Sequence, residues 1–578
     1  MHSKIAKTLI LSVLILFLFT SVAAAQEWVV TSAGDTGKVN LSTVDLSNMT
    51  LREAIAKANS GDTIVFADNI TAVSLMNGSL NISKDLTIGG SSKVTVKRDS
   101  SPVTQDMTIF TVSGSNVVLR QLTIENGYTM NGTGGAVTAD RANVTIESCT
   151  IQRNKADFGG AVYVSNGSNV KLVSSSVYKN NATSEGSAIY VKSGNVELQN
   201  SVIDSHSDKY NVIQLDQGKL IASQSRFINN EVTSKGSPVT ASSGTIVEIR
   251  NSTFSNNTAT ESAGITAYGT LLAENCAFDG GKSSGSGGGI SLKNGSVGNI
   301  KYSVFSNANV TDDGGGVHID VGATATIDTC TFLNNIANYG GAFFNRGTLD
   351  AKSVTAVNNT AKFFGGAAAL WNDGNVTLTK SVLAGNTAKS NNTAKDVGGG
   401  GINVSNSQAT LSSNVIVGNT DPREIDFGEG NATVRSGGNN LVGTYRGSGR
   451  FPIEATDVAG IQMSDVFVIE NGLPALTKST GYTAGYDKVQ VYTVALNSSA
   501  NNPAAGILGD YTPAPTPTPE PSEPGTVTPE PEQPSAGSGS SLVTYLVYGV
   551  IGIVLLVILA VVAVLLWKYN EKRKYKFG

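Results

Sequence analysis

The chain has 578 residues, 15% of them charged, with 64 glycines and a formal net charge of −4. That length exceeds one ordinary globular core, and regularly spaced apolar residues at low charge exclude general disorder. The acidic balance argues against a nucleic-acid surface, the more so because Lys4, Lys7 and the basic run Lys568–Lys576 lie at the two extremes.

In chain order, Lys4 and Lys7 precede the apolar run Leu9–Phe19 and the small residues Ala23, Ala24 and Ala25. This pattern predicts a secretory leader over 1–25 rather than a retained membrane helix. Residues 26–63 read as an N-terminal cap. Thr50 and Glu53 have capping-box spacing, and Leu51, Ala54, Ile55 and Ala58 form one apolar stripe, so a short helix is expected to lid the start of the repeat region.

Over 64–445 one phrase returns mostly every 24–28 residues, with a last step of 33, as in TFLNNIANYGG. Its apolar residue falls at Ile124, Ile151, Val177, Ile203, Phe227, Phe254, Phe278, Phe305, Phe332, Ala356, Leu383 and Ile416. Asparagine stands three residues later at 154, 180, 230, 257, 335, 359, 386 and 419. Within a unit the apolar residues alternate in short pieces, such as Val162/Val164, Val170/Leu172 and Ser175/Val177. Period two with glycine and β-branched residues predicts three short strands per unit, not helices. Such a unit cannot bury a core alone, but stacked units can. The expected fold is all-β, a right-handed parallel β-helix solenoid; a propeller or sandwich has longer strands and periods nearer ~40–50 residues. Cys149, Cys276 and Cys330 occupy the column held elsewhere by Ser175, Ser201, Ser225, Ser252, Ser303 and Ser381. Cys276 and Cys330 are thus two coils apart, ~9–10 Å, beyond disulfide reach, so no disulfide is expected.

Residues 446–510 are expected to cap the far end. The stretch 511–541 is a Pro/Thr/Glu-rich and then Gly/Ser-rich spacer. Residues 542–567 form an uncharged run of about 26 residues, above the ~20 a bilayer-spanning helix needs. The basic tail 568–578 comes last, which orients the rest of the chain outside the cell. The expected location is the cell membrane, single-pass, with the N-terminal region extracellular. Asn48, Asn131, Asn256, Asn358 and Asn497 are candidate N-glycosylation sites in an exported chain.

Two resemblances rest on these motifs. The stretch Leu51-Arg52-Glu53-Ala54-Ile55, with Ala58-Asn59 and Asp62-Thr63-Ile64, resembles the Cys-Ser-Leu-Arg-Glu-Ala module that opens many secreted β-helix proteins; Met49 and Thr50 replace its Cys-Ser. Gly159-Gly160-Ala161-Val162 and Phe254-x-x-Asn257 resemble the repeats of polymorphic outer-membrane proteins, within the pectin-lyase-like superfamily. The resemblance implies a surface protein, often an adhesin, with surface glycans or partner proteins as ligands. The single span is more like adhesin-like proteins of archaeal surfaces than autotransporters.

The same superfamily contains polysaccharide lyases and hydrolases, so catalytic carboxylates need weighing. The best candidates are Asp312 and Asp313, with His318 and Asp320 nearby. As sequence neighbours the two aspartates need not converge, and Asp157, Glu185, Glu261 and Asp396 look scattered, so a solvated acidic turn is the favoured reading. No Walker, zinc or RTX calcium motif is present, and no cofactor or metal is expected. The glycine pairs are read as positions of positive φ or of close coil-to-coil approach. Alternation after each pair points Tyr163, Tyr190, His318 and Phe344 outward, making them candidates for a binding surface, although ordinary packing along the sheet or against loops is the favoured reading. The favoured function is a membrane-anchored, adhesin-like or envelope-structural β-helix, with a surface polysaccharide lyase or hydrolase as the alternative.

Overall fold

A computed structural model describes residues 25–508 except 102, 390–398, 422–426, 431, 448–453, 479–488 and 500. The expected leader, spacer, span and basic tail lie outside the described residues, apart from the leader's last residue, Ala25. Among the described residues no helix is long and apolar enough to cross a membrane.

The described chain is a parallel β-helix. The strand after each glycine turn belongs to sheet I, with 15 strands from Leu80–Ile82 to Tyr445–Gly447. Sheet II has 16 strands from Glu27–Val30 to Val434's strand, Thr433–Ser436. Sheet III has 16 strands from Ala72–Leu75 to Val458–Ala459 and carries the Phe/Ile/Val column. At the ~4.8 Å spacing of paired strands, a stack this deep runs ~70 Å. The column is in register from coil to coil: Phe332 pairs Phe305 on one side and Ala356 on the other. It continues past the expected units, to Val96 and Val73 at one end and Val442 at the other.

Most units have one strand more than expected. A fourth, eight-stranded sheet IV of two-residue strands runs from Ser207–Asp208 to Thr387–Ala388. Its second residue turns inward and is small or short in most coils, as Ala259, Ala337, Ala361 and Ala388. Two residues are too few to display a period, which is why the pattern reads as loop.

Between sheets III and IV the asparagines form a buried ladder. Asn359 Oδ1 accepts from the Asn335 backbone N–H at 3.0 Å and its amide at 2.9 Å, while Asn359 Nδ2 donates to Phe332 O at 3.0 Å and Asn386 Oδ1 at 2.9 Å. The corner's backbone groups are thereby paired without water. A second ladder is built by the serine column: Ser201 Oγ accepts from Ser175 N–H at 3.2 Å and Ser225 Oγ from Ser201 N–H at 3.2 Å. Cys149, Cys276 and Cys330 sit in this column as buried free thiols, and burial pushes them up to about 11, 12 and 12 respectively.

His206 takes a rung of the asparagine ladder. Its backbone N–H and Nδ1 both lie 3.2 Å from Asn230 Oδ1, and Nε2 lies 3.4 Å from Asn180 Nδ2. The rung works with a neutral ring, donating at Nδ1 and accepting at Nε2. Burial lowers its pKa from 6.5 to about 4. A lowered histidine contributes stability that is complete above pH 6.5 and is lost as pH falls toward about 4. His206→Asn keeps a rung and removes the titration. Between those limits the wild type is expected to lose roughly 3 kcal/mol more than this variant, measured by denaturant unfolding at stepped pH.

The glycine turns serve both expected purposes, divided between the two glycines. The first has positive φ, as at Gly159 (65°), Gly314 (71°) and Gly340 (60°). The second lets coils touch: a Cβ on Gly315 would lie 2.0 Å from Gly341 O, and one on Gly341 2.2 Å from Gly366 O.

At the N-terminus, helix α1 (Leu51–Lys57) has a full capping box, Thr50 with Glu53, and buries Leu51, Ala54 and Ile55. Arg52 pins it, with Nε 2.7 Å from Asp35 and guanidinium bonds to Gly78 O and Ser79 O. At the other end, the described part of 446–510 does more than cover the last coil. Val466, Phe467 and Ala504 pack on Val382, Val415, Val417 and Leu441 on the outer side of sheet III. Farther back, Val489 and Val491 pack on Val304, and Tyr492 exchanges two hydrogen bonds with Thr331 Oγ1 at 3.0 Å.

Candidate functional site

The outer side of sheet I carries Tyr163, Tyr190, Gln214, Thr240, Thr266, Ser291, His318 and Phe344 in one register column. Alternation placed the sequence candidates on the correct side, but three of them are not exposed. Tyr190 is 4% exposed, His318 6% and Phe344 3%; Tyr163 is half-buried. Residues of the glycine turns lie over them. Phe158 tilts against Tyr190 at 5.1 Å, and Tyr163 stacks on it at 5.6 Å. His318 stacks on Phe344 at 5.5 Å, and Tyr339 lies 6.3 Å from Phe344. These four residues therefore pack the sheet against its turns, and the accessible rings are their neighbours. Phe363 is 41% exposed and stacks with Tyr339 at 5.0 Å, and Trp371 meets Tyr339 at 5.5 Å.

Between the Tyr163/Tyr190 and His318/Phe344 stacks the column turns polar, and an open cleft of about 480 Å³ lies there. Its floor is Gln214, Thr240 and Ser242, with Asn211 beside them; Tyr210 and Tyr268 wall it, and Glu185, Glu261 and Lys235 stand at its rim. The floor is locked by its own bonds. Asn211 Nδ2 donates to Gln214 Oε1 at 2.7 Å, Thr240 Oγ1 donates to Asn211 Oδ1 at 2.6 Å, and Gln214 Nε2 donates to Asp216 Oδ1 at 3.2 Å. Asp216 also accepts from Tyr190 Oη at 2.5 Å and Lys192 Nζ at 2.9 Å. Burial pushes the Asp216 carboxyl up, but these three donors outweigh it and hold it below its ordinary value. Burial, then the Asp216 charge, raises Glu185.

Glu185 and Glu261 stand far apart along the chain, yet they line one cleft. They belong to coils three apart, ~14 Å along the stack, and the intervening turns leave the space between them open. The available signal was that both stand directly ahead of a glycine turn, at Gly186 and near Gly264.

Asp312 and Asp313 sit in the turn ahead of Gly314. Asp312 accepts from Ser286 Oγ at 2.8 Å. Asp313 Oδ1 is buried without a hydrogen-bond partner; burial and then the Asp312 charge raise its carboxyl to about 7, with Arg346 opposing. His318, buried and next to Lys293, is lowered to about 4. Arg346 makes a long ion pair with Asp320 at 3.9 Å. Among the described residues no group of His, Cys, Asp or Glu is arranged to hold a metal ion.

Of the candidate glycosylation residues, Asn48, Asn131, Asn256 and Asn358 are exposed. Asn497 is half-buried, and its Nδ2 donates to Ser464 O at 2.8 Å, so a glycan there has to break that bond.

Residues 79–226 and 211–361 match the family model for a right-handed β-helix region. No curated protein sequence matches the chain. Among solved structures, tailspike protein 3 of bacteriophage CBA120 aligns at 12% identity over 72% of this chain and 60% of its own, with a TM-score of 0.36. Pectate lyase Pel9A aligns at 12% identity over 83% of this chain and 94% of its own, with a TM-score of 0.24. The chain thus spans about 60% of the tailspike's length. By its in-register parallel coils and the match over 79–361, the chain folds as a right-handed parallel β-helix.

Proposed function

We propose that the chain is a membrane-anchored, extracellular β-helix that binds glycans along the outer side of sheet I in an adhesin-like role. The cleft between Glu185 and Tyr268 carries this reading. Its hydrogen-bonding amide and hydroxyl floor and its tyrosine walls suit a ligand with ring hydroxyls and apolar ring faces. The leader, spacer, uncharged run 542–567 and basic tail support display outside the cell on a single span. The test is a glycan array probed with the full chain in mild detergent. A defined set of glycans is expected to bind, with affinity falling about tenfold or more in Tyr268→Ala. Binding unaffected by Tyr268→Ala and by Gln214→Ala overturns the assignment to this cleft.

A lyase or hydrolase reading has one observation in its favour, the Asp313 carboxyl raised to about 7 with Arg346 near it. Such a group can pass a proton near neutral pH. Release of cleaved product by the wild type and its loss in Asp313→Asn would establish this second reading.

A further inference from the structure

The cleft's charge narrows the class of glycan, resting on the proposal that it binds glycans at all. Glu185 and Glu261 face one ammonium, Lys235, across the opening. The floor adds no free cation, because Lys192 is paired with Asp216 at 2.9 Å. The rim extends the same sign: the residues ahead of the glycine turns include Asp157 on one side of the cleft and Asp312 on the other. Farther along, the rim becomes aromatic at Tyr339, Phe363 and Phe364.

A polyuronate carries a negative charge on every residue and meets like charge along this rim. A neutral glycan leaves two carboxylates desolvated with only the Lys235 ammonium between them to neutralise them. An ammonium on the sugar gives each carboxylate a charge-assisted hydrogen bond, and the Tyr339/Phe363 rings offer a face to a cation or an apolar sugar face. We infer that the cleft selects a basic glycan, an oligosaccharide of hexosamine units with free amino groups, held by Glu185 and Glu261.

The test is calorimetric titration of the full chain in mild detergent with three oligomers of matched length: glucosamine, N-acetylglucosamine and galacturonate. The glucosamine oligomer is expected to bind at least about tenfold more tightly than the other two. Glu185→Gln/Glu261→Gln should remove that preference, and Glu261→Gln alone should reduce it, with thermal midpoints unchanged. Equal or tighter binding of the N-acetylated or galacturonate oligomer, sensitive to Tyr268→Ala, overturns the amino-sugar class and keeps glycan binding. Absence of binding by all three overturns the amino-sugar class, and an empty glycan array beside it overturns glycan binding as well.

Discussion

Phe305→Ala is expected to cost about 3–5 kcal/mol of unfolding free energy in urea, the range for emptying a fully buried aromatic site. Phe305 is 1% exposed and lies between Phe278 and Phe332, each at 4.8 Å and nearly parallel. Two aromatic contacts are lost with it, each worth ~0.5–1.5 kcal/mol beyond area burial. The cavity has little means of closing. The strand is fixed by backbone ladders to both neighbouring coils. The residue facing the ring, Gly289, has no side chain to move in; a Cβ there would come within 2.6 Å of the phenyl. The same complementarity recurs one coil on, where a Cβ on Gly316 would come within 2.6 Å of the Phe332 ring. Because a solenoid is held by nearest-neighbour contacts, the damage should stay local. Hydrogen exchange should quicken in the coils of Phe278 to Phe332 and stay unchanged near Ile151. A loss under about 1 kcal/mol, or uniform acceleration, contradicts the stacked-column account.

Legibility in the sequence tracks repetition in the fold. The Phe/Ile/Val and Asn columns stand out because every member pairs with its own copy, so both residue type and spacing are constrained in each coil. Sheet IV pairs equally regularly, but Lys282–Ser283, Asn309–Val310 and Thr387–Ala388 share only a small inward second residue. Alternation tells which way His318 and Phe344 point, not whether a turn lies over them. The covering residues were nonetheless visible, since Phe158, Tyr339 and Phe363-Phe364 all stand just before glycine pairs. The cleft was hidden for the opposite reason. Its floor and rim residues differ from coil to coil, and Glu185 and Glu261 line one cleft only because their coils are stacked.

Asn359→Leu should cost still more, about 3–6 kcal/mol, although it keeps the side chain's branching and replaces its polar atoms with apolar ones in a buried site. Asn359 is fully buried. Its removal takes the partner from the Asn335 backbone N–H, from one N–H of the Asn335 amide, whose other still donates to Phe305 O, and from the Phe332 carbonyl. Each buried polar group left unpaired costs ~1–3 kcal/mol, and burying leucine regains only part of that. Asn359→His separates the polar from the steric contribution. A neutral histidine already fills this rung at His206, accepting from Asn180 and lying 3.2 Å from Asn230. It is therefore expected to recover part of the loss at pH 8 and less at pH 5, because a buried rung histidine such as His206 stays neutral in the fold down to about pH 4 while the unfolded chain's ring protonates below 6.5. Urea unfolding of the two variants at both pH values measures this. If leucine proves no worse than histidine at pH 8, packing rather than the hydrogen-bonded ladder holds the corner.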